Sequence, residues 1–407
     1  MSRTKNNIRF FELIIAMDGK VSVIGFGAMG SGIAEYIAIH NYEVNVYEIS
    51  RDIFDANMSR VADSLTKLHS KGRISVNTSE VTSRITFLDS IEKCVSGSDI
   101  VIEAVNEDAT LKSEIARKAS SSVGRDAIIT TNTSSIPISY IQGGVSWPER
   151  FAGLHWFNPP VLMDLIEIVK GNDTSEETVL GLSKFVKGIG KEQIVARKDV
   201  RGFIANRIFR ALRYHALILY SRGLMDAKQI DSALIYKLGL PMGALALTDF
   251  TGGMKIESDE WQLYDEIRMS LPQYEPSKGY DSMYRAVAKI TSKYVNENRL
   301  GMRSGRGIYN YPEPGRWKMP DICEKDGENV SLIDLLAPMY NHGLYMVKNG
   351  ICTESDIDKS LKLGFRWPKG LFEVFNEEYS KKDIKETLEK FSEKFPDLSE
   401  FYRYEGD

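Results

Sequence analysis

The chain has 407 residues, 43% hydrophobic and 27% charged, which is too long for one small core and too apolar for a disordered or collagen-like polymer. Its formal charge of −4, with both signs interspersed, gives no global field that would recruit nucleic acid or an anionic membrane, so any bound phosphate must be held locally. The three cysteines, Cys94, Cys323 and Cys352, match neither a disulfide framework nor a zinc spacing, so no metal is expected and a reducing, cytoplasmic setting is.

Residues 1–19 read as an N-terminal extension. Arg3, Lys5 and Arg9 precede the apolar run Phe10 to Ala16, a superficial likeness to a secretory signal, but Glu12 interrupts that run and no small-residue cleavage site precedes the strand at Lys20. Met17 is an alternative start. No stretch approaches the ~20 apolar residues that cross a bilayer.

From Lys20 to about Arg197, short β-branched runs alternate with segments of helical period, the pattern of a parallel sheet covered by helices. Strands are expected at Lys20–Gly25, Glu43–Glu48, Ile85–Phe87, Asp99–Ala104, Ala127–Thr131, Phe151–His155, Leu165–Val169 and Gln193–Ala196. Beyond Asp199 the pattern becomes all-helical, with helices over Ile204–Arg222, Ala227–Leu238 and Leu332–Lys348 and with Gly223, Gly239 and Gly350 near their ends. Gly223, Ile230, Asp231, Leu234, Pro241 and Gly243 recur at an offset of 127 residues as Gly350, Ile357, Asp358, Leu361, Pro368 and Gly370. Repeated units usually bury their apolar faces against one another. The expected class is therefore α/β, a Rossmann-like domain at 20–199 followed by two repeated all-α domains at 200–310 and 311–407, joined through the Gly-, Arg- and Pro-rich stretch Met302–Pro314.

The run Val21 to Gly30 is a strand, a glycine turn and the start of a helix. A G-x-G-x-x-G match alone is weak, but here a strand precedes it, the helical segment Ser31–Ile39 follows, and a second strand ends at Glu48. Gly25 permits the tight turn, Gly27 lets a pyrophosphate approach the backbone, and Gly30 lets helix and strand pack closely. The free N–H groups of Ala28, Met29 and Gly30 at the helix start suit phosphate oxygens. Glu48 can accept hydrogen bonds from the adenosine ribose and repel a 2′-phosphate, which favours NAD, although nearby Arg51 leaves NADP open. The plainer alternative is a generic turn with a solvated strand end.

A histidine, His155, closes the apolar run that begins at Phe151, and Glu167 follows within Leu165–Val169. A carboxylate among aliphatic residues is costly unless paired. If adjacent strands bring the two together, Glu167 fixes the imidazole's tautomer and supports it as a general base. Spacing alone favours the plainer reading, a strand histidine that satisfies a backbone partner.

Five segments in order resemble the motif set of the 3-hydroxyacyl-CoA dehydrogenases: Gly25 to Gly32, Thr131 to Ser135, Phe151 to Pro159, Gly202 to Arg207 and Gly239 to Gly243. The second helical repeat resembles the tandem C-terminal domains of longer members, so the resemblance spans nearly the whole chain. It implies that His155 takes the proton of the 3-hydroxyl while hydride leaves C3 for NAD, with Glu167 orienting it. It also implies that Ser134 and Asn206 hydrogen-bond the reacting oxygen or the nicotinamide region, and that Asn158 holds the loop around His155. Glu107 and Lys112 match positions beside the cofactor, their alternative being an exposed ion pair at helical spacing. Ser64 and Lys71 match positions that contact CoA, on a helix whose Arg60, Lys67 and Lys71 otherwise read as a solvated charged face.

Two departures stand out: Glu48 where Asp is frequent in the family, and Trp156 where Phe is usual. Trp156 is expected to narrow the acyl pocket and favour short chains such as 3-hydroxybutyryl-CoA. A dehydrogenase of a free hydroxy acid or sugar acid, and a non-catalytic NAD-binding scaffold, are the competing readings. An acyl-CoA substrate and no enoyl-CoA hydratase activity are expected. A monomer is favoured over a homodimer, because the tandem helical copy can replace a partner subunit's.

Overall fold

The computed structural model describes residues 19–260, 271 and 277–406. The expected N-terminal extension, apart from Gly19, lies outside them. The chain divides into two compact units, Met1–Asp199 and Val200–Asp407.

In the first unit, eight strands form one sheet: β1 Lys20–Ile24, β2 Glu43–Tyr47, β3 Ile85–Leu88, β4 Ile100–Glu103, β5 Ile128–Thr131, β6 Phe151–Trp156, β7 Leu165–Lys170 and β8 Glu192–Ala196. Their spatial order is β3-β2-β1-β4-β5-β6-β7-β8. Neighbouring strands are parallel except β6 and β7, which are antiparallel. Val21, Val23, Val44, Val46, Ile100 and Ile102 are buried in the core, as β-branched strands covered on both faces must be. The chain runs outward from β1 to β3 and returns to β4 on the other side of β1. That reversal opens a crevice at the carboxyl ends of β1 and β4, the position at which open α/β sheets bind ligands.

Three helices shape the crevice and its surroundings. α1 (Ala28–Ile39) starts at Gly27, lacks a side-chain cap and buries Ile33, Ala34, Ile37 and Ala38. α2 (Arg51–Ser70) is capped by Ser50, which accepts from Asp52 N–H, and buries Phe54, Val61, Leu65 and Leu68 along one stripe. α3 (Ala109–Ser122) is capped by Asp108, which accepts from Leu111 N–H at 2.7 Å.

Among the described residues the second unit is built of helices, apart from isolated bridges at Gly301–Arg306 and Arg306–Asn310, and the sequence repeat is a repeat of structure. α4 (Ala205–Ser221), α5 (Ala227–Ser232) and α6 (Ala244–Thr251) recur 127 residues later as α7 (Leu332–Lys348), α8 (Glu354–Lys359) and α9 (Leu371–Glu378). Both α5 and α8 run into a π-helical turn, Ala233–Lys237 and Ser360–Gly364. The repeated aspartates explain why these residues recur. Asp231 accepts from Leu245 N–H at 2.9 Å and Ala246 N–H at 2.8 Å, capping α6, and Asp358 accepts from Phe372 N–H at 2.8 Å and Glu373 N–H at 3.2 Å, capping α9. A Cβ at Gly243 or Gly370 would sit 2.2 Å from the respective carboxyl carbon, so each aspartate requires its glycine.

The two copies meet through exchanged contacts. Arg207 of α4 donates to His342 of α7 at 3.0 Å, and His215 of α4 reaches the Asp334 carbonyl of α7 at 2.9 Å. His215 and His342 are equivalent in the repeat, as are Arg207 and Asp334, so the pairing is reciprocal, as in a two-fold interface.

Candidate active site

Gly25 follows β1 directly, at φ +93°, and a Cβ there would lie 2.8 Å from the Ala104 carbonyl after β4. At Gly30 a Cβ would meet the Gly25 carbonyl at 1.9 Å. Gly27 differs, because nothing lies within 4 Å of its missing Cβ. Two glycines thus serve internal packing, and the third leaves open space beside the uncapped start of α1, where Ala28 and Met29 begin the helix. An anion fits that position on both steric and dipole grounds.

Glu48 is turned into the same crevice. Its carboxylate accepts from Phe26 N–H and from Ile49 N–H, each at 2.7 Å, and so is held against the glycine turn. A cleft of about 470 Å³ is lined here by Gly25, Gly27, Glu48, Ile49, Ile53 and Leu111. Ile49 is 81% exposed, an apolar surface of the kind a purine ring covers. Arg51 is engaged elsewhere, on Asp55 at 2.9 Å and over the rings of Phe54 and Phe87. The donor set therefore fits a dinucleotide with an unphosphorylated ribose.

At the ends of β4 and β5, Glu107 accepts from Thr133 Oγ1 at 2.6 Å, Ser134 N–H at 2.9 Å, Ser135 N–H at 3.1 Å and Ser135 Oγ at 2.9 Å. Burial works against its charge, but the Lys112 ammonium at 3.5 Å and these donors prevail, and the carboxyl lies below its ordinary range. Ser134 is thereby fixed, with its Oγ 3.5 Å from Glu107. Lys112 is no exposed partner at helical spacing. It is 1% exposed and donates to Glu103 at 2.8 Å, a buried pair to which Thr131 also donates. The Glu103 partner was missed in the sequence because it sits nine residues before Lys112, outside the helix that carries the lysine.

His155 and Glu167 face one another directly in the antiparallel β6–β7 register. Directly opposed strand residues point to the same face with Cβ atoms ~5 Å apart, so the strand pairing itself delivers the contact. Imidazole Nδ1 lies 2.6 Å from Glu167 Oε2, and Glu167 is fully buried. Asn132, just after β5, accepts from Trp156 N–H at 2.8 Å and anchors the end of β6. Asn158 is exposed at the start of the turn that follows.

Trp156 does not narrow an acyl pocket on the His155 side. Adjacent strand residues point to opposite faces, and Trp156 is buried on the other one, edge-on to Tyr36 of α1 at 6.0 Å. Asn206 belongs to the second unit, as the second residue of α4, half-buried.

Ser64 and Lys71 line a groove of about 380 Å³ together with Arg60, Lys67 and Arg73. Arg73 was not singled out in the sequence because it lies past the end of α2. Val161 and Leu162, from the turn after β6, also line the groove. Behind Ser64, burial pushes the Glu35 carboxyl up to about 7, opposed by a hydrogen bond from Ser64.

A doubly wound sheet with a glycine turn, an uncapped helix start and a carboxylate at the end of the second strand defines a dinucleotide-binding oxidoreductase, and the cofactor is NAD. The comparisons are specific. Residues 20–200 match the model for the 3-hydroxyacyl-CoA dehydrogenase NAD-binding domain, and residues 202–311 match that for the family's C-terminal domain. A probable 3-hydroxyacyl-CoA dehydrogenase of Caenorhabditis elegans is 34% identical over 72% of this chain and 95% of its own length. The 5-formyl-3-hydroxy-2-methylpyridine 4-carboxylate 5-dehydrogenase of Mesorhizobium japonicum is 31% identical over 72% of this chain and 90% of its own. Among solved structures, (S)-3-hydroxybutyryl-CoA dehydrogenase of Ralstonia eutropha is similar at 30% identity, covering 72% of this chain and 99% of its own, with TM-score 0.64. The Escherichia coli 3-hydroxybutyryl-CoA dehydrogenase shares the fold over 95% of this chain and 96% of its own, with TM-score 0.79 and 23% identity.

The chain belongs to the 3-hydroxyacyl-CoA dehydrogenase family. Membership makes it an enzyme and removes the non-catalytic scaffold from consideration. Among the described residues no helix is long and apolar enough to cross a membrane.

Proposed function

We propose that this protein oxidises the 3-hydroxyl of an (S)-3-hydroxyacyl-CoA, preferring short chains such as 3-hydroxybutyryl-CoA. The observation that carries the reading is the 2.6 Å hydrogen bond between His155 Nδ1 and the buried Glu167 carboxylate. With Nδ1 committed to Glu167, proton transfer from the hydroxyl falls to Nε2, and the carboxylate stabilises the positive charge that develops on the ring. Bound NAD supplies the hydride acceptor. Gly27, Ala28, Met29 and Glu48 would hold its phosphates and ribose, and Glu107 with Lys112 would fix the Thr133–Ser135 segment beside it. Ser134 and Asn206 are assigned to hydrogen bonds with the reacting oxygen or the nicotinamide, and Asn158 to holding the loop after His155. Such fixed donors stabilise developing charge without reorganising. Ser64 and Lys71, joined by Arg60, Lys67 and Arg73, would take the CoA phosphates.

The short-chain preference now rests on the substrate in the name of the R. eutropha relative, since Trp156 is turned away. We read the helical unit as two domains divided near residue 310. Their reciprocal contacts favour a monomer, and the odd cysteine count favours the cytoplasm. A second reading, oxidation of a free hydroxy acid or sugar acid, draws only on the CoA-free carboxylate substrate in the name of the M. japonicum relative, a substrate dehydrogenated at a formyl carbon, and is opposed by the cationic groove, which a small acid does not need. Initial rates of NADH oxidation with acetoacetyl-CoA, longer 3-ketoacyl-CoAs and free acetoacetate test the proposal. Acetoacetyl-CoA should have the highest kcat/KM. A higher value for free acetoacetate would overturn the thioester assignment, and a higher value for a long chain would overturn the chain-length assignment.

A further inference from the structure

Lys191 directly precedes β8, lies outside every motif discussed above, and is 4% exposed. A lysine is seldom buried unless its ammonium is paired. This one donates to two backbone carbonyls, Pro160 O at 2.9 Å and Met163 O at 2.5 Å, and its nitrogen stands 3.6 Å from the centroid of the Tyr36 ring. Burial pulls the ammonium down to about 8, opposed by the nearby Asp164 carboxylate. The cation therefore persists at neutral pH, and both carbonyl bonds are charge-assisted.

The two carbonyls bracket a short turn. Leu162 and Met163 N–H groups donate back to Pro159 O, closing it internally, and Pro160 packs so tightly on α1 that a Cβ at Gly32 would lie 3.1 Å from its ring. Between the bracketed carbonyls stand Val161 and Leu162, which line the same groove as Arg60, Ser64, Lys67, Lys71 and Arg73. One buried cation thus fixes the turn by both ends, against α1 and β8, with the groove's apolar lining between.

We propose that Lys191 is a positioning residue for the nucleotide portion of the CoA substrate, acting through the Pro160–Met163 turn to hold Val161 and Leu162 in the groove they line with the cationic side chains of α2. This rests on the assignment of the groove to CoA. It predicts a dependence on Lys191 that appears only when the substrate carries the nucleotide, whereas a lysine needed merely for stability would affect all substrates alike.

The test compares acetoacetyl-CoA with the acetoacetyl thioester of N-acetylcysteamine, which keeps the reacting centre and lacks the nucleotide, in wild type, Lys191→Met and Lys191→Gln. Wild type should show a KM for acetoacetyl-CoA at least tenfold below that for the short thioester. Lys191→Met should raise the acetoacetyl-CoA KM about tenfold or more, with kcat, the short-thioester KM and NADH affinity changed by less than about twofold. Lys191→Gln, which keeps an N–H donor without the charge, should fall between the two, and it carries the test if the Met variant does not fold. If wild type prefers CoA but the Gln and Met variants keep that preference in full, or if both KM values rise equally, the role of Lys191 is overturned while the groove assignment stands. If wild type shows no preference for the CoA thioester, the groove assignment itself falls and takes this role with it.

Discussion

Replacing Glu167 by Gln keeps the size of the side chain and removes its negative charge. The bond it makes to His155 is 2.6 Å long, and Glu167 is shielded from water, so bulk solvent cannot substitute for the lost charge. Hydrogen bonds to charged groups contribute about 1.5–3 kcal/mol, and at 1.36 kcal/mol per factor of ten this is a loss of about 10- to 150-fold if the bond acts fully when the ring is cationic. The effect should appear in kcat, because the ring becomes cationic only as the hydroxyl proton is taken. Steady-state rates of oxidation with saturating (S)-3-hydroxybutyryl-CoA and NAD would measure it, with NADH affinity followed by fluorescence as a control. A kcat within twofold of wild type would refute the claim that the carboxylate stabilises the imidazolium during turnover.

Three further outcomes follow from particular contacts. Gly27→Ala should leave the melting temperature unchanged and weaken NADH binding about tenfold or more, about 1.4 kcal/mol, because its Cβ enters only the open space beside the helix start. Gly30→Ala should instead destabilise the fold by about 1–3 kcal/mol, because its Cβ collides with the Gly25 carbonyl. Equal effects of the two in thermal melts would contradict the distinction. Burial lowers His215 from 6.5 to about 4, so as pH falls the unfolded chain takes up the proton first; stability is complete above 6.5 and is lost as pH falls towards 4. The difference is worth about 3 kcal/mol, and His215→Gln should flatten urea midpoints between pH 6.5 and 4.5, whereas an unchanged slope would exclude His215 as the sensor. Sedimentation should give the mass of one 45.9 kDa chain, and twice that mass would contradict the internal pairing of the two helical copies.

Much of this architecture was legible because each signal has a local cause. All eight strands lie where β-branched runs stand between turn residues, with no end displaced by more than one residue. The helical repeat recurs residue for residue because Asp231 and Asp358 each cap a helix and each demand a glycine at the contact. The His155–Glu167 contact needed one further fact, that β6 and β7 run antiparallel in a register placing the two directly opposite. Spacing of twelve residues permits that register without requiring it.

What escaped the sequence depends on distant chain segments or on face. Lys112 reaches Glu103 on a strand, Arg73 joins the groove from beyond the end of α2, and Lys191 bonds carbonyls about thirty residues earlier in the chain. None of these leaves a periodic trace, because backbone carbonyls carry no side-chain identity and a lone lysine at a strand start reads as solvated. Trp156 was legible and misjudged: strand alternation alone puts it on the face opposite His155.

The most direct measurement is turnover by His155→Ala with acetoacetyl-CoA and NADH, beside its affinity for NADH. Loss of a general acid-base group should lower kcat at least ~100-fold while the cofactor, which we assign to the glycine turn and Glu48, binds as before. Turnover at the wild-type rate would show that another group moves the proton and would contradict the account at its centre.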